Sequence, residues 1–270
     1  MRKVKQLGRR SFLMSIGKGS FALLSEMTFG LGRRGLAVAL GGSGLMAACQ
    51  PLQAPAAAPT TAAALEEMAP EEMAASYQRI FMDFVSAYVL VRGSEIAIVD
   101  TGTPGNTDKF AEVITAAGLG WGDVGHVILT HHHGDHVGGL NEILGAASAS
   151  TVYAGEADIA QIQSAQPIQS VLDGDEVFGM QIIGTPGHTP GHISVYDPVG
   201  SLLVAGDAMV GSANGGVEGA SAQFTADMAA ANASIKKLAT LTFETLVFGH
   251  GEPIETGASE QVAALAATLE

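Results

Sequence analysis

We expect a domain of mixed α and β structure (α+β) from three features of the chain. Short runs of β-branched and aliphatic residues, such as 96–99 and 127–129, have the length and composition of buried strands. Between such runs, residues 106–117 carry apolar side chains at helical spacing. The chain has 270 residues, of which 47% are hydrophobic. This is enough for one sizeable core with further segments outside it.

Residues 1–48 have the composition of an export signal and are kept out of the fold argument. They hold eight Lys/Arg and one Asp/Glu. The motif Arg9-Arg10-Ser11-Phe12-Leu13 resembles a twin-arginine export signal. A second pair, Arg33-Arg34, directly precedes an apolar, Gly-rich run at 35–48. Either pair fits the signal. The 14 residues of that run are fewer than the about 20 that a membrane-spanning helix needs.

The single cysteine of the chain, Cys49, lies directly after this run. The segment Leu45-Met46-Ala47-Ala48-Cys49 resembles a bacterial lipoprotein signal, in which cleavage leaves a lipidated cysteine. A buried free thiol is the alternative. The Ala/Pro-rich composition of residues 49–76 favours a flexible linker instead. We therefore predict an exported protein, either periplasmic or a membrane-anchored lipoprotein, whose contact with the membrane is the lipid on Cys49.

The elements that follow the linker are predicted from periodicity and turn residues. Strand-like runs are found at 80–82, 88–91, 96–99, 127–129, 151–153, 177–183, 193–196, 202–205 and 245–248. Helical patterns cover 106–117, 135–144, 156–162, 224–241 and 259–269. The segment Asp173-Gly174-Asp175 has the composition of a hairpin turn. The Gly/Ala/Ser-rich stretch 207–224 is expected to be a mobile rim.

A histidine-rich segment, Thr130-His131-His132-His133-Gly134-Asp135-His136, follows the strand predicted at 127–129. Side chains two apart on a strand project from one face, which places His131 and His133 together. Gly134 permits a turn that brings Asp135 and His136 back to the same point. Imidazole and carboxylate suit zinc, iron or manganese, and four such groups exceed what one tetrahedral zinc needs alongside ligands from elsewhere. The excess indicates two metals, whereas a surface patch or a tag would not follow a strand in this way.

Four further motifs each end or follow a strand-like run: Asp100, then Thr185-Pro186-Gly187-His188-Thr189-Pro190-Gly191-His192, then Ala205-Gly206-Asp207, then Phe248-Gly249-His250-Gly251. With the histidine-rich segment they form five motifs, and the series resembles the metallo-β-lactamase superfamily over roughly residues 77–257. The resemblance implies an αββα sandwich, in which two mixed β-sheets are flanked by helices and the metals lie at one edge between the sheets. It makes residues 77–270 the predicted catalytic domain.

The resemblance also implies a ligand set. It assigns His131, His133 and His188 to one metal, Asp135, His136 and His250 to the second, and Asp207 to both. Asp135 is in addition the catalytic group expected to accept a proton from the attacking water. Asp100 is expected to orient the ligands by hydrogen bonding, with a plain turn residue as the alternative. The other histidines are interpreted as structural, His126 and His132 by position and His192 because the first histidine of its motif is the family's ligand.

The function implied is that of a dinuclear zinc hydrolase, with iron or manganese as other metals that these ligands accept. Such an enzyme opens an ester, lactone or thioester carbonyl of a small molecule with a metal-bound hydroxide. Asp207 stands where metallo-β-lactamases proper usually have cysteine or serine, so the chain looks more like glyoxalase II and the lactonases than a β-lactamase. Glyoxalase II carries a helical glutathione-binding domain after its last metal histidine, whereas 20 residues follow His250 here. The lactonases have a tyrosine where this chain has Val210.

Two rival functions fit part of the sequence. A mononuclear iron oxygenase similar to the persulfide dioxygenases would use His131, His188 and Asp207, since two histidines and one carboxylate are a known iron(II) arrangement. A periplasmic zinc-binding lipoprotein would be expected to show a His/Asp-rich low-complexity loop, and the sequence contains none. Nucleic acid is excluded as a partner because the chain from Cys49 onward has a formal charge of -21 and would repel phosphates.

Overall fold

The computed structural model describes residues 73–270. The predicted export signal at 1–48 and residues 49–72 of the predicted linker lie outside the described residues, so these boundaries stay predictions. Within the described part, no helix has both the length and the apolar character needed to cross a membrane.

A six-stranded sheet forms the first half of the domain. Its strands are β1 (Ser76–Met82), β2 (Val85–Arg92), β3 (Glu95–Val99), β4 (Val124–Leu129), β5 (Thr151–Gly155) and β6 (Ile168–Val171), and they lie side by side in that order. The strands β1 to β3 form an antiparallel meander, and β3 to β6 are parallel. The sheet is therefore mixed, as predicted.

A second, five-stranded sheet has the order β13-β10-β9-β8-β7. Its strands are β7 (Glu176–Val177), β8 (Met180–Gly184), β9 (Ile193–Asp197), β10 (Leu202–Val204) and β13 (Thr245–Val247). Neighbours are antiparallel except β10 and β13, which are parallel. A separate two-stranded hairpin consists of β11 (Met209–Gly211) and β12 (Val217–Gly219).

Six α-helices complete the described part: α1 (Thr107–Ala116), α2 (Gly134–Val137), α3 (Leu140–Ala146), α4 (Glu156–Ile159), α5 (Met228–Leu238) and α6 (Ala258–Ala266). A 3-10 turn at Trp121–Asp123 leads into β4. The side chain of Asp227 caps α5 by accepting a hydrogen bond from the Ala230 N–H at 3.0 Å, and Lys236 and Lys237 lie in its last turn. Both features stabilise the ends of a helix.

Three layers of buried apolar side chains hold these elements together. The first lies between the six-stranded sheet and helices α1 and α3, and it includes Phe110 and Leu140. The second lies between the two sheets and includes Leu90 from β2 and Val195 from β9. The third lies between the five-stranded sheet and helices α5 and α6. This order of helix, sheet, sheet and helix confirms the predicted αββα sandwich.

The structure corrects two local expectations and adds a hairpin to a third segment. The helix predicted at 135–144 is two short helices, because at the break the Gly139 N–H bonds to the Gly102 carbonyl at 3.0 Å and a Cβ on Gly139 would lie 2.5 Å from the Thr101 carbonyl oxygen. The helix predicted to begin at 224 begins at Met228, since the backbone before it bonds to residues 187 and 188. The rim predicted at 207–224 contains the β11–β12 hairpin.

Candidate metal centre

The topology brings the five motifs to one edge of the sandwich. Strands β3 and β4 are parallel, so Asp100 and the His131–His136 segment emerge at the same end of the first sheet. In the second sheet, β8 and β10 are each antiparallel to β9, and β13 is parallel to β10. These three strands therefore run in the same direction, and His188, Asp207 and His250 follow their carboxyl ends.

Three histidines form the first group of ligand atoms. The Nδ1 atom of His133 lies 3.1 Å from Nε2 of His131 and 2.9 Å from Nε2 of His188. One nitrogen from each ring lies within 4.8 Å of the other two. His131 and His133 come from the first sheet and His188 from the second, so this group joins the two halves of the sandwich.

Asp135, His136 and His250 form the second group. The Oδ2 atom of Asp135 lies 3.3 Å from Nε2 of His250 and 3.8 Å from Nε2 of His136. The two imidazole Nε2 atoms are 3.5 Å apart. Helix α2 supplies Asp135 and His136 as consecutive residues, and His250 reaches them from the end of β13.

The carboxylate of Asp207 lies between the two groups. Its Oδ2 atom is 3.4 Å from Nε2 of His188 and 3.3 Å from Nε2 of His250. Its Oδ1 atom is 3.4 Å from Nε2 of His136. A side chain at position 249 would fill this space, because a Cβ on Gly249 would lie 2.1 Å from Oδ1 of Asp207. All seven residues that the sequence predicts as ligands are thus brought together.

The second nitrogen of four of these rings is held by the protein. Hydrogen bonds join Nδ1 of His131 to Thr130 Oγ1 (3.0 Å), of His136 to Asp100 Oδ2 (2.8 Å), of His188 to Thr225 Oγ1 (3.2 Å) and of His250 to the Phe84 carbonyl oxygen (2.8 Å). Each ring consequently presents Nε2 to the cluster, while His133 presents Nδ1. Sequence reasoning missed Thr225 and Phe84, since neither a hydroxyl nor a main-chain carbonyl has a recognisable motif.

Asp100 fixes both the ligand segment and one ligand ring. Its carboxylate accepts hydrogen bonds from the Thr130 N–H and hydroxyl, each at 2.7 Å, and from Nδ1–H of His136 at 2.8 Å. Its backbone has a φ of 61°, a conformation in which aspartate is one of the less strained residues. These are the contacts that an orienting residue would make.

The family model described as the metallo-beta-lactamase superfamily matches residues 81–250, which is more than half of the chain. The chain belongs to the metallo-beta-lactamase superfamily. All seven clustered residues, together with Asp100, lie within the matched range.

Individual relatives of this superfamily resemble the chain over part of its length. A hydroxyacylglutathione hydrolase of Aeromonas hydrophila is 31% identical over 150 residues, covering 54% of this chain and 53% of that protein. The metallo-beta-lactamase domain-containing protein 1 of Xenopus laevis is 32% identical, covering 61% and 70%. A protein solved in a di-iron-bound form is 25% identical with a TM-score of 0.57, covering 72% and 98%. The chain spans about half the length of the hydroxyacylglutathione hydrolases that it matches.

The two ligand groups of this metallo-beta-lactamase-like centre differ in the pKa values of their histidines. Burial lowers the pKa of His188 to about 4, and it lowers the pKa of His131 well below the usual value. Burial opposes protonation of His250 as well, but hydrogen bonds to Asp135 and Asp207 outweigh it and raise that pKa to about 10. The first group therefore offers neutral nitrogen lone pairs. In the second group, the nearby carboxylates favour the protonated form of His250. A cation bound there would replace that proton.

The side chains of the cluster are chemically suited to bind divalent cations. The Oδ1 atom of Asp207 is buried and accepts no hydrogen bond from any described residue. A buried polar atom without a partner is costly unless something else satisfies it. Five imidazole nitrogens and two carboxylates, with the second nitrogen of four of the five rings already held, are a ligand set suited to zinc, iron or manganese.

The remaining histidines lie outside the ligand atoms of the cluster. His192 is fully engaged, because its Nδ1 bonds to the Thr185 hydroxyl at 2.8 Å and its Nε2 accepts the Asp207 N–H at 3.0 Å. His126 packs between the rings of Tyr153 and Phe178 at centroid distances of 5.8 and 5.4 Å. These positions agree with the structural roles expected of both residues.

Asp158 of helix α4 is a further residue that the sequence did not indicate. It is fully buried, and its carboxylate accepts hydrogen bonds from the His132 N–H (3.0 Å), the Thr189 hydroxyl (2.6 Å) and the Gly191 N–H (2.8 Å). The Nδ1 atom of His132 is also 3.0 Å from it. Asp158 thereby ties the ligand segment of the first sheet to that of the second.

Proposed function

We propose that this chain is a hydrolase dependent on two divalent cations that cleaves an ester, lactone or thioester of a small molecule. The single observation that carries the proposal is the convergence of seven imidazole and carboxylate side chains in two groups joined by Asp207. Such a set exceeds the needs of one metal ion, which is also the reason to prefer a hydrolase to a mononuclear oxygenase.

His131, His133 and His188 would hold one cation, Asp135, His136 and His250 the other, and Asp207 would touch both. We propose zinc, while iron and manganese suit the same ligands. When bound, such cations polarise a carbonyl group and lower the pKa of a water molecule toward neutrality.

The chain's own residues orient the reactants and move the proton. The reaction adds the oxygen of water to the carbonyl carbon and breaks the bond from that carbon to the leaving oxygen or sulfur. The products are a carboxylic acid and an alcohol or thiol. Asp135 is half-buried at the cavity wall, and its hydrogen bond with His250 lowers its pKa. Its carboxylate is therefore ionised, and we propose that it accepts a proton from water and returns it to the leaving group.

Two further observations support a carbonyl substrate. The matching relatives named hydroxyacylglutathione hydrolase are, by that name, hydrolases of an acyl compound. Asp207 also gives this centre a carboxylate where the β-lactamases usually have cysteine or serine, which favours the glyoxalase II and lactonase-like branch over β-lactam substrates.

The proposal is tested by proton release at constant pH. The full zinc-loaded chain is offered an ester, a lactone, a thioester, a β-lactam and a phosphodiester, beside Asp207→Ala and the matched surface variant Asp83→Ala. We expect acid release on one of the first three substrates that disappears in Asp207→Ala and persists in Asp83→Ala. Silence with every substrate, or oxygen uptake with a persulfide by the iron-loaded protein, would overturn the hydrolase.

We also propose that the chain is exported and anchored by a lipid on Cys49. The support is the charge contrast between the basic first 48 residues and the acidic remainder, with an apolar run directly before the cysteine. When the full chain and Cys49→Ala are expressed in a bacterium, the full chain should partition into detergent and the variant into the aqueous phase. Equal partitioning of the two would rule out the anchor.

A further inference from the structure

The cavity over the metal cluster is largely apolar beyond the ligands. It has a volume of about 710 Å³. Besides the ligand side chains its walls include Phe84, Val210 and Phe224. Apolar walls around a few converging polar groups are typical of small-molecule sites.

Phe84 lies at one side of this cavity and is held there by a ligand histidine. It is in the turn between β1 and β2, and its side chain is exposed, with 57% of the residue accessible. Its ring is parallel to that of His250 within 5°, with 6.0 Å between centroids, and its carbonyl oxygen accepts the Nδ1–H of that histidine. The backbone of Phe84 is thus anchored to a ligand histidine, and its exposed ring lines the cavity.

Phe224 occupies a comparable position beside the other group. It is 60% exposed. Its N–H donates to the Ser221 carbonyl oxygen at 3.1 Å, and the hydroxyl of the next residue, Thr225, donates to the same oxygen at 2.7 Å and contacts Nδ1 of His188 at 3.2 Å. The turn that carries this ring is therefore tied to His188, another of the ligand histidines that border the cavity.

No Lys or Arg lines this cavity among residues 73–270, although that range contains five. Arg79 contacts the segment that directly follows the ligand His250. All three of its guanidinium nitrogens are already hydrogen-bonded, to Ser86, Glu252 and the Gly251 carbonyl oxygen. The same range holds 22 Asp/Glu. A substrate with carboxylates or phosphates away from its reacting carbonyl would find no protein cation to pair with, and burying an unpaired charge is costly.

We infer that the substrate of this site is an uncharged compound with an apolar acyl chain, and that Phe84 and Phe224 select it by packing on that chain. The inference rests on the proposed hydrolase function and narrows its substrate class. It disfavours glutathione thioesters, which carry two free carboxylates, and acyl thioesters of phosphate-bearing carriers. Without substrate, the apolar surface of the two rings is exposed to water. An apolar acyl chain would bury that surface, and its removal from water is favourable.

The first experiment compares para-nitrophenyl acetate, butyrate and octanoate with the full zinc-loaded chain. We expect kcat/KM to rise along the series, and Phe84→Ala and Phe224→Ala each to lower it about tenfold for octanoate but little for acetate. Phe81→Ala is the matched control, because Phe81 is an exposed phenylalanine of the same hairpin that does not line the cavity. Zinc content is measured for every variant. A flat series, or equal losses on acetate and octanoate, overturns the inference.

A second experiment tests charge with chain length held constant. The para-nitrophenyl monoester of suberic acid has the same chain length as the octanoate but ends in a carboxylate. We expect the octanoate to be preferred by at least tenfold, and Phe224→Arg to reduce that preference by supplying a cation. Equal turnover of the two esters by the unaltered chain contradicts an uncharged substrate.

Direct binding separates failure of the inference from failure of the hydrolase. Octanamide and acetamide are titrated calorimetrically into the full chain with and without zinc. Tighter binding of octanamide that is lost in Phe84→Ala supports the apolar site even if no ester is turned over, in which case the hydrolase alone has failed. If esters are turned over but neither their turnover nor amide binding depends on chain length, the hydrolase stands and the apolar selection is refuted.

Discussion

At the scale of single residues, the hydrogen bond from His136 to the charged carboxylate of Asp100 orients the ring for binding a cation. The carboxylate accepts the ring's Nδ1–H and thereby fixes which nitrogen faces the cluster. Asp100→Asn keeps the size of the side chain and tolerates the positive φ, but it removes the charge. We expect the affinity for the more weakly held zinc to fall about 10- to 100-fold, as measured by titration against a chelator.

The control for this prediction is Asp83→Asn. Asp83 has the same φ of 61° as Asp100, and its exposed side chain, in the β1–β2 turn, makes no hydrogen bond to a ligand residue. Its substitution should leave zinc affinity unchanged. Equal affinity in Asp100→Asn and the unaltered chain would show that the carboxylate contributes position alone and that its charge is irrelevant.

Asp158 acts through the backbone of the ligand segments. In Asp158→Ala the N–H groups of His132 and Gly191 and the hydroxyl of Thr189 lose their acceptor inside the protein. Each buried polar group left unsatisfied costs about 1–3 kcal/mol, so we expect a loss of roughly 3 kcal/mol or more in the free energy of unfolding. Urea unfolding measures it. Glu156→Ala, on the exposed side of the same helix, should change it by less than about 0.5 kcal/mol, and a similarly small change in Asp158→Ala would refute the tie.

At the scale of elements, strands whose side chains are mostly buried could be predicted from sequence, and strands with exposed polar residues or glycine could not. All five residues of β9 are buried, and the predicted strand at 193–196 matches it to within one residue. By contrast, β6 has only Ile168 and Val171 around two exposed polar residues, and β11 and β12 have three residues each with glycine among them. Such strands exist because their neighbours pair with them, and a sequence pattern does not contain that information.

The site divides in the same way. The histidines and aspartates that follow strands could be predicted as a set, because their side chains are typical metal ligands. The hydroxyl of Thr225 and the carbonyl of Phe84 hold ligand rings only because the fold brings residues distant in sequence beside them. The split of the helix predicted at 135–144 has a similar origin, since the backbone at Gly139 is needed for a contact with Gly102.

Strand β4 carries a histidine whose titration should be visible in the pH dependence of stability. Burial lowers the pKa of His126 below its usual 6.5, so the folded state favours the neutral ring. For a histidine with a lowered pKa, the stabilisation is fully present above the unfolded pKa and is lost as the pH falls below it. His126→Phe keeps a ring between Tyr153 and Phe178 and cannot be protonated. We expect the variant to lose less stability than the unaltered chain between pH 7 and about pH 5.

Urea midpoints for both proteins over that pH range measure the effect, and their difference isolates His126 from the histidines of the cluster. Parallel curves would mean that His126 titrates alike in the folded and unfolded states. The ring is only half-buried, so the difference should be small, and the substitution to phenylalanine should itself be tolerated because Nδ1 of His126 has no hydrogen-bond partner within residues 73–270.

At the scale of the whole molecule, the proposed cations are cross-links between the two sheets. The first sheet contributes His131, His133, Asp135 and His136, and the second contributes His188, Asp207 and His250. Without cations, two ionised carboxylates and protonated rings share the edge of the sandwich. A ligand that binds only the folded state stabilises it by about 4 kcal/mol when its concentration is about 1,000 times Kd.

Removing the cations should therefore loosen the sandwich as a whole. For a domain of this size, that stabilisation corresponds to a fall in Tm of about 10 °C when zinc is replaced by a chelator. Scanning calorimetry of the full chain with zinc, with chelator, and with zinc restored measures the shift and its reversal. In Asp207→Ala, which lacks the carboxylate between the two groups, zinc should raise Tm much less. A Tm that is the same with zinc and with chelator in the unaltered chain would show that the cluster does not hold cations tightly enough to join the sheets.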